Sequence, residues 1–397
     1  MINMIKIGEN TIIGQEKVKS EISSILNSDR LGHAYLIAGP TGIGKKAMAL
    51  AFAEAVNGVE NLSVLGDQKF SSKSGWMNHP DIHFYIPVPR LFTKTDFNER
   101  IRMLADDPYA IVDFANRPNL SSSDESKNKK AFYSIDYFRD DIRPTFFLKP
   151  NEGKRNIIIL SNIEHMQTPA ANAFLKVLEE PPENVLIIMT TDHLNMIIPT
   201  VLSRCQVLKC SGLTNEEIAN GLVQHDQLSP DDANYLSRIS GGNYSLSRFY
   251  DIAQVKALRH EIITFLRMSY IQEASELVKL IQNWSSERNS EGILTILNMI
   301  EVFLKDIFVF MHTSDTSLVV NSDQIDVISK FVNSLKDANL DKMIELIESS
   351  RSVIRQNIQA KYMFTVLSLR FSYLMRGADL VIPDNEPWHH IPAFEEY

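Results

Sequence analysis

Residues 156–205 read NIIILSNIEHMQTPAANAFLKVLEEPPENVLIIMTTDHLNMIIPTVLSRC, and the order of features in this stretch decides the fold. Two apolar runs, Ile157-Ile158-Ile159-Leu160 and Val185-Leu186-Ile187-Ile188-Met189, are long enough for strands buried on both faces and too short for ordinary helices. Between them the spacing predicts one helix. Thr168 is placed to cap it and Pro169 suits its first turn. Ala171, Phe174, Leu175 and Leu178 recur at i, i+3, i+4 and i+7, and Pro181-Pro182 stop it. Strand, crossover helix and strand make a parallel βαβ unit. Thr190-Thr191-Asp192 and then Ser203-Arg204-Cys205 follow, and both are expected at the C-terminal edge of the sheet, facing a ligand or a neighbour.

Upstream, Ile12-Ile13-Gly14-Gln15 leads into an amphipathic helix carrying Val18, Ile22, Ile25 and Leu26. A buried strand over 34–38 then runs into Gly39-Pro40-Thr41-Gly42-Ile43-Gly44-Lys45-Lys46, followed by a helix over 45–57 closed by Gly58. Strand, glycine-rich loop and helix are the setting a phosphate-binding P-loop requires. Gly39, Gly42 and Gly44 belong to the tight loop, backbone N–H groups there point at phosphate oxygens, and Lys45 reaches toward the β/γ-phosphates. The last position breaks the pattern. Lys46 stands where a Ser or Thr would hold Mg²⁺, and lysine offers a metal no oxygen.

A catalytic acid is expected at the end of the second buried strand, but 157–160 is followed by Ser161-Asn162-Ile163-Glu164. Glu164 comes two residues too late and reads as a solvated loop carboxylate. With the metal ligand and the base both missing, the sequence predicts a site that does not hydrolyse ATP; a lost base alone costs about 10²- to 10⁴-fold in rate.

At 397 residues the chain needs two or three domains, and 44% hydrophobic residues supply their cores. A net charge of -9 argues against a surface that grips nucleic acid by itself. Cys205 and Cys210 cannot build a four-cysteine zinc site or a disulfide framework, which fits a reducing cytoplasm. No signal-peptide core opens the chain, and Asn298, Glu301, Lys305 and Asp306 interrupt the most apolar segment, 293–311, which reads as a bundle helix and not a membrane span. His79 and His83 lie beside a predicted strand without a third ligand, so no metal site is expected. A short inserted helix is predicted over 95–105 with Phe97, Ile101 and Leu104 on one side, a mobile Ser-rich loop over 119–130, and a helix from Ser134 that feeds the strand at 156.

Past Cys210 only helical patterns remain. Thr214 with Glu217 forms a capping box, Ser229-Pro230 starts a second helix with Ala233, Leu236 and Ile239, and Gly241-Gly242 end it. A third begins near Tyr244. Longer stripes follow, such as Ile293, Leu297, Ile300, Leu304 and Met363, Val366, Leu367, Phe371, Leu374, which serve either as bundle core or as a partner seam. The expected organisation is an α/β domain over 1–210 with an insertion at about 88–133, a helical lid over 211–253, an all-α bundle over 254–376 and a tail over 377–397.

With these residues in place the chain resembles the clamp-loader subunits of bacterial DNA polymerase III, most closely those of delta-prime type. The matching stretches are Ile13-Gly14-Gln15, His33-Ala34-Tyr35-Leu36, the loop from Gly39 to Lys45, His79-Pro80-Asp81, the run from Asn172 to Pro182 and Ser203-Arg204-Cys205; the last two are specific to the family. The resemblance implies an AAA+ P-loop (RecA-like) parallel-sheet domain, a small helical lid and a C-terminal helical collar. It implies that Arg204 is an arginine finger, supplied in trans to ATP held by an adjacent subunit, where such a guanidinium speeds reaction by about 10³- to 10⁵-fold.

The chain departs from the family pattern in three places. Its zinc-binding cysteines are absent, an insertion occupies their neighbourhood, and the sensor arginine aligns with Leu246, two residues before Arg248. Lys46, Ser161, Asn162 and Leu246 together favour a delta-prime subunit without ATPase activity of its own, working as a component of the DNA polymerase III holoenzyme. The P-loop residues Gly39, Gly42, Gly44 and Lys45 are then vestigial, with no required cofactor and room only for weak ATP or ADP binding without Mg²⁺-dependent hydrolysis. The implied partners are gamma/tau-type and delta subunits, the sliding clamp, and primed DNA reached through the assembly, in the cytoplasm and away from membranes. An ATP-hydrolysing gamma-type subunit is the alternative.

Overall fold

The structure, a computed structural model, describes residues 12–28, 31–57, 77, 79–114, 130–288, 290–355 and 358–378. The Ser-rich loop expected over 119–130, Lys130 apart, lies outside the described residues, as do the tail from residue 379 and Gly58. The chain divides into two compact units, Met1–Phe249 and Tyr250–Tyr397. The boundary expected after residue 253 would cut the helix Ile252–Ile271, which Asp251 caps through the Ala253 and Gln254 amides.

The first unit is built on five parallel strands: β1 (Ala34–Ala38), β2 (Ile82–Tyr85), β3 (Asn156–Leu160), β4 (Val185–Thr191) and β5 (Gln206–Lys209). Their order across the sheet is β2-β3-β4-β1-β5. Burial follows position. Every residue of the three inner strands is buried, whereas the edge strand β2 alternates buried with half-buried residues and β5 buries only Leu208. The near-continuous apolar runs of the sequence thus belong to strands covered on both faces. β1 follows β4 in the sheet although it precedes it in the chain, so the topological switch point lies beside the P-loop that leaves β1.

The βαβ unit forms in the predicted order, with two local differences. Thr190 and Thr191 extend β4 and do not follow it. The helix Thr168–Glu179 has Gln167 at its N-cap without a side-chain cap bond, so Thr168 is its first residue; Val177 is buried where Leu175 is only half-buried. Phe174 packs this helix against Phe138 and Phe146, with ring centroids 5.9 and 6.2 Å apart. Those two rings come from the segment after Ser134, whose turns pass from α to π to 3-10 geometry through Phe147.

The inserted helix runs Lys94–Asp106, capped by Thr93 on the Asp96 amide. Three further helices, Asn215–Asp226, Pro230–Ile239 and Tyr244–Phe249, complete the unit. The Thr214/Glu217 capping box and the Ser229 cap are both present. Between the last two helices Gly241 and Gly242 take positive φ of 60° and 88°.

The second unit is helical throughout its described residues, from Ile252–Ile271 to Ala360–Leu374. Its longest helix, Ser290–Thr313, buries Ile293, Leu297, Ile300 and Leu304 as expected. Asp306 on the same helix is also buried. It is tolerated because its carboxylate accepts the Val320 and Asn321 amides at 2.8 and 2.9 Å and the Asn321 side chain at 2.6 Å. Phe265, Trp284, Phe364 and Phe371 form a second cluster, with Trp284 donating to Glu261 at 2.6 Å. In Ala360–Leu374 the stripe Met363, Leu367, Phe371 and Leu374 is core, while Tyr362, Leu369 and Tyr373 are 62%, 55% and 51% exposed on the other side.

Candidate functional site

The P-loop forms where the sequence placed it, between β1 and the helix Lys45–Asn57. Gly42 and Gly44 hold φ of 74° and 92°, values that side chains disfavour. The Lys45 ammonium is not left waiting for phosphate. It is buried, donates to the Pro40 carbonyl and pairs with Asp192 Oδ1 at 2.7 Å. The second oxygen of Asp192 accepts the Thr41 hydroxyl at 2.8 Å. Burial acts to raise the Asp192 carboxyl, but the Lys45 charge and hydrogen bond, the Thr41 hydroxyl and the nearby Lys46 outweigh it and hold the group below the usual carboxylate range.

Lys46 is committed as well, to Asp113 of the insertion at 2.6 Å. At the end of β3, Ser161 is fully buried and its hydroxyl has no hydrogen-bond partner. Asn162 takes a left-handed backbone, and its amide donates to Thr190 Oγ1 at 3.0 Å. Glu164 is not the solvated carboxylate expected. It is half-buried on the turn Ile163–His165, its Oε1 accepts the Asp192 amide at 2.9 Å, and its Oε2 is buried without a partner.

The lid closes over this loop within the same unit. Ser245 donates its amide to the Gly42 carbonyl at 3.1 Å, and a Cβ on Gly42 would sit 1.6 Å from Asn243 Oδ1. Leu246 is buried. Arg248 faces elsewhere, pairing with Asp107 at 2.6 Å and Asp226 at 2.7 Å.

Arg204 is at the opposite edge of the sheet from the one expected. The chain leaves β4 at the C-terminal edge, returns through the short helix Pro199–Leu202 and enters β5 at Gln206, which pairs in parallel with Tyr35 near the start of β1. Ser203-Arg204-Cys205 therefore lie at the N-terminal edge. The P-loop is reached only at the far end of β5, where Cys210 donates to the Ala38 carbonyl, about 13 Å further on at ~3.3 Å per residue. The Arg204 side chain is 34% exposed and ion-pairs with Glu179 at 2.9 Å. Its other terminal nitrogen donates to the Thr200 carbonyl at 2.9 Å and the Ser203 hydroxyl at 3.2 Å. Burial pushes the Cys205 and Cys210 thiols up to about 11.

Asp192 was placed at the C-terminal edge by the sequence, but its pairing with Lys45 was missed, as were Asp113 beside Lys46 and Glu179 beside Arg204. What makes Asp192 reach Lys45 is the register Ala38↔Thr191, which sets the ends of β1 and β4 side by side. Among the described residues, no group of three or more His, Cys, Asp or Glu could hold a metal ion, and no helix is long and apolar enough to cross a membrane.

Two family models match the chain. The family described as DNA polymerase III, delta subunit matches residues 14–214, and the one described as DNA polymerase III, delta subunit, C terminal matches residues 253–371. The chain is similar to DNA polymerase III subunit delta' of Bacillus subtilis (strain 168), 26% identical over 250 residues that cover 61% of this chain and 62% of that protein. It is also similar to subunit tau of the same organism, 26% identical over 224 residues, 56% of this chain and 32% of that one. The matches thus span less than two thirds of either relative's length. Among solved structures, a DNA polymerase III gamma subunit-related protein from Thermotoga maritima aligns with a TM-score of 0.42 at 13% identity, over 89% of this chain and 99% of that one.

Proposed function

The chain belongs to the DNA polymerase III delta-subunit family, and from that premise we propose that it is a delta-prime-like clamp-loader subunit that hydrolyses no ATP itself. It presents Arg204 to ATP held by a gamma/tau-type neighbour, and with a delta subunit helps place the sliding clamp on primed DNA. The observation that carries this reading is the position of Arg204. It lies a strand's length from its own P-loop, one third exposed, so any nucleotide it serves belongs to another chain. Lys45 and Lys46, both paired to carboxylates, support the absence of self-catalysis. The exposed row Tyr362, Leu369 and Tyr373 is the face we assign to contact with neighbouring subunits through the collar.

The test is ATP turnover by the reconstituted loader with clamp and primed DNA. Arg204→Ala should lower turnover at the site it completes by about 10³-fold while the complex still co-purifies. Unchanged turnover in an intact complex would sink the trans role. One observation favours the rival reading, an ATP-hydrolysing gamma-type subunit: the unpartnered Glu164 Oε2 beside the P-loop edge. Mg²⁺-dependent turnover by the isolated chain, abolished by Lys45→Ala, would decide for it.

A further inference from the structure

The inserted helix and the chain behind it have no part in the function just proposed, yet they are held with care. Arg100, fully buried on Lys94–Asp106, donates to the Val112 carbonyl at 2.9 Å and to Asp96 at 3.1 Å, and its guanidinium lies 3.8 Å from the centre of the Phe114 ring. Residues 107–114 are thereby fixed, and they are laid across the P-loop.

Tyr109 is buried against Gly44, where an added Cβ would lie 2.7 Å from its ring. Its hydroxyl accepts the Ile13 amide at 2.9 Å, and its ring meets Tyr244 of the lid edge-on with centroids 4.9 Å apart. One side chain thus touches the P-loop, the N-terminal segment and the lid. At the ends of the same segment, Asp113 takes Lys46 and Asp107 takes Arg248. Asp192 takes Lys45 from the sheet side.

A nucleotide bound at a P-loop supplies negative charge to the loop lysine and can tie a mobile segment to the sheet. We propose that residues 107–114, with Asp192, are a built-in substitute for that nucleotide: the Asp113 and Asp192 carboxylates stand in for phosphate, and Tyr109 joins lid to sheet in place of a base and sugar. The lid is then held by the protein itself, at all nucleotide concentrations. This rests on the reading of the P-loop as catalytically silent, and is independent of what Arg204 does.

The charge count explains why a real nucleotide is shut out. Lys45 and Lys46 face Asp192 and Asp113, so an incoming phosphate must displace carboxylates already paired at 2.6–2.7 Å. It must also displace a buried tyrosine. Neither cost arises at an open P-loop.

The test uses the full chain and a fluorescent ADP analogue with Mg²⁺. The wild type should show no saturation up to about 1 mM, and Tyr109→Ala combined with Asp192→Asn should bind at least about tenfold more tightly. Micromolar binding by the wild type overturns the proposal, as does a folded double variant that binds no better. If that variant does not fold, amide exchange of the wild type decides. Amides of 42–46 and 244–248 should exchange slowly without nucleotide and be unaltered by about 5 mM ATP; fast exchange that ATP slows overturns the proposal. A wild type that binds ATP would leave the Arg204 reading standing, and an Arg204→Ala loader with unchanged turnover would leave the plug standing.

Discussion

The two edges of one sheet carry cations in opposite surroundings. At the C-terminal edge Lys45 is buried and closed into a pair with Asp192, while at the N-terminal edge Arg204 keeps a third of its side chain in solvent beside the half-exposed Glu179. A buried, paired ammonium is a structural element whose removal strands a carboxylate. An exposed guanidinium contributes little to its own fold and is free to act on something else. The same chemistry, a basic side chain beside a carboxylate, is thus structural in one place and, on the function we propose, catalytic in the other.

The sharpest way to break that contrast is to remove each cation and measure both properties. Arg204→Ala should cost the reconstituted loader about 10³-fold in turnover, equivalent to ~4 kcal/mol of barrier, and shift urea-unfolding stability by less than about 1 kcal/mol. Lys45→Met should do the reverse to the fold, destabilising the isolated chain by about 3 kcal/mol, because Asp192 is left charged and mostly buried. Adding Asp192→Asn to Lys45→Met should recover much of that loss in a double-mutant cycle. A Lys45→Met chain as stable as wild type would mean that the P-loop lysine is solvated and available to nucleotide.

How much of this was legible in the sequence follows from the range of the interactions. The inner strands, the P-loop and its helix are encoded locally, by apolar runs of strand length and by glycines at fixed spacing, and the structure has β1 and Lys45–Asn57 at the residues predicted. The Thr214/Glu217 capping box and the Ser229 cap were legible for the same reason, each being a bond over three residues. What was not legible is long-range. Lys45–Asp192, Lys46–Asp113 and Arg248–Asp107 join residues far apart in the chain and depend on strand order and on the path of the insertion. The misplacement of Arg204 has a simple cause. Following β4 in sequence suggests its C-terminal edge, but a parallel β5 must be entered from the other end, and only the strand pairing reveals that return.

Asp81, at the N-terminal edge, gives a further, smaller test of the comparison, since like Lys45 it is a buried charge with a structural use. Its carboxylate accepts the amides of Asn151, Glu152 and Gly153 at 2.7–2.8 Å and so fixes the turn leading into β3. Burial acts to raise its carboxyl, but these three bonds and the charge of His79 hold it below the usual range. A depressed carboxyl contributes stability that is complete above the unfolded value, about 3.9, and is lost as pH falls through the folded one. Asp81→Ala should therefore cost about 2 kcal/mol at pH 7, and its stability should decline less than that of the wild type as pH is lowered below about 4. Parallel decline in urea titrations of the two proteins would assign the acid sensitivity to other groups.

The smallest effect is expected at Glu179, and it separates two roles for the exposed edge. The carboxylate holds one terminal nitrogen of Arg204 while Thr200 and Ser203 hold the other, so the guanidinium is oriented by its own chain before any neighbour arrives. Both partners are substantially exposed, and Glu179→Gln should change unfolding stability by less than about 1 kcal/mol. Orientation is a different matter from stability, because a positioned group acts without first being ordered. Glu179→Gln should lower loader turnover about threefold with the KM for ATP unchanged, well short of the Arg204→Ala loss. If turnover rises instead, Glu179 competes with phosphate for the guanidinium, and the edge is restrained by the carboxylate, not prepared by it.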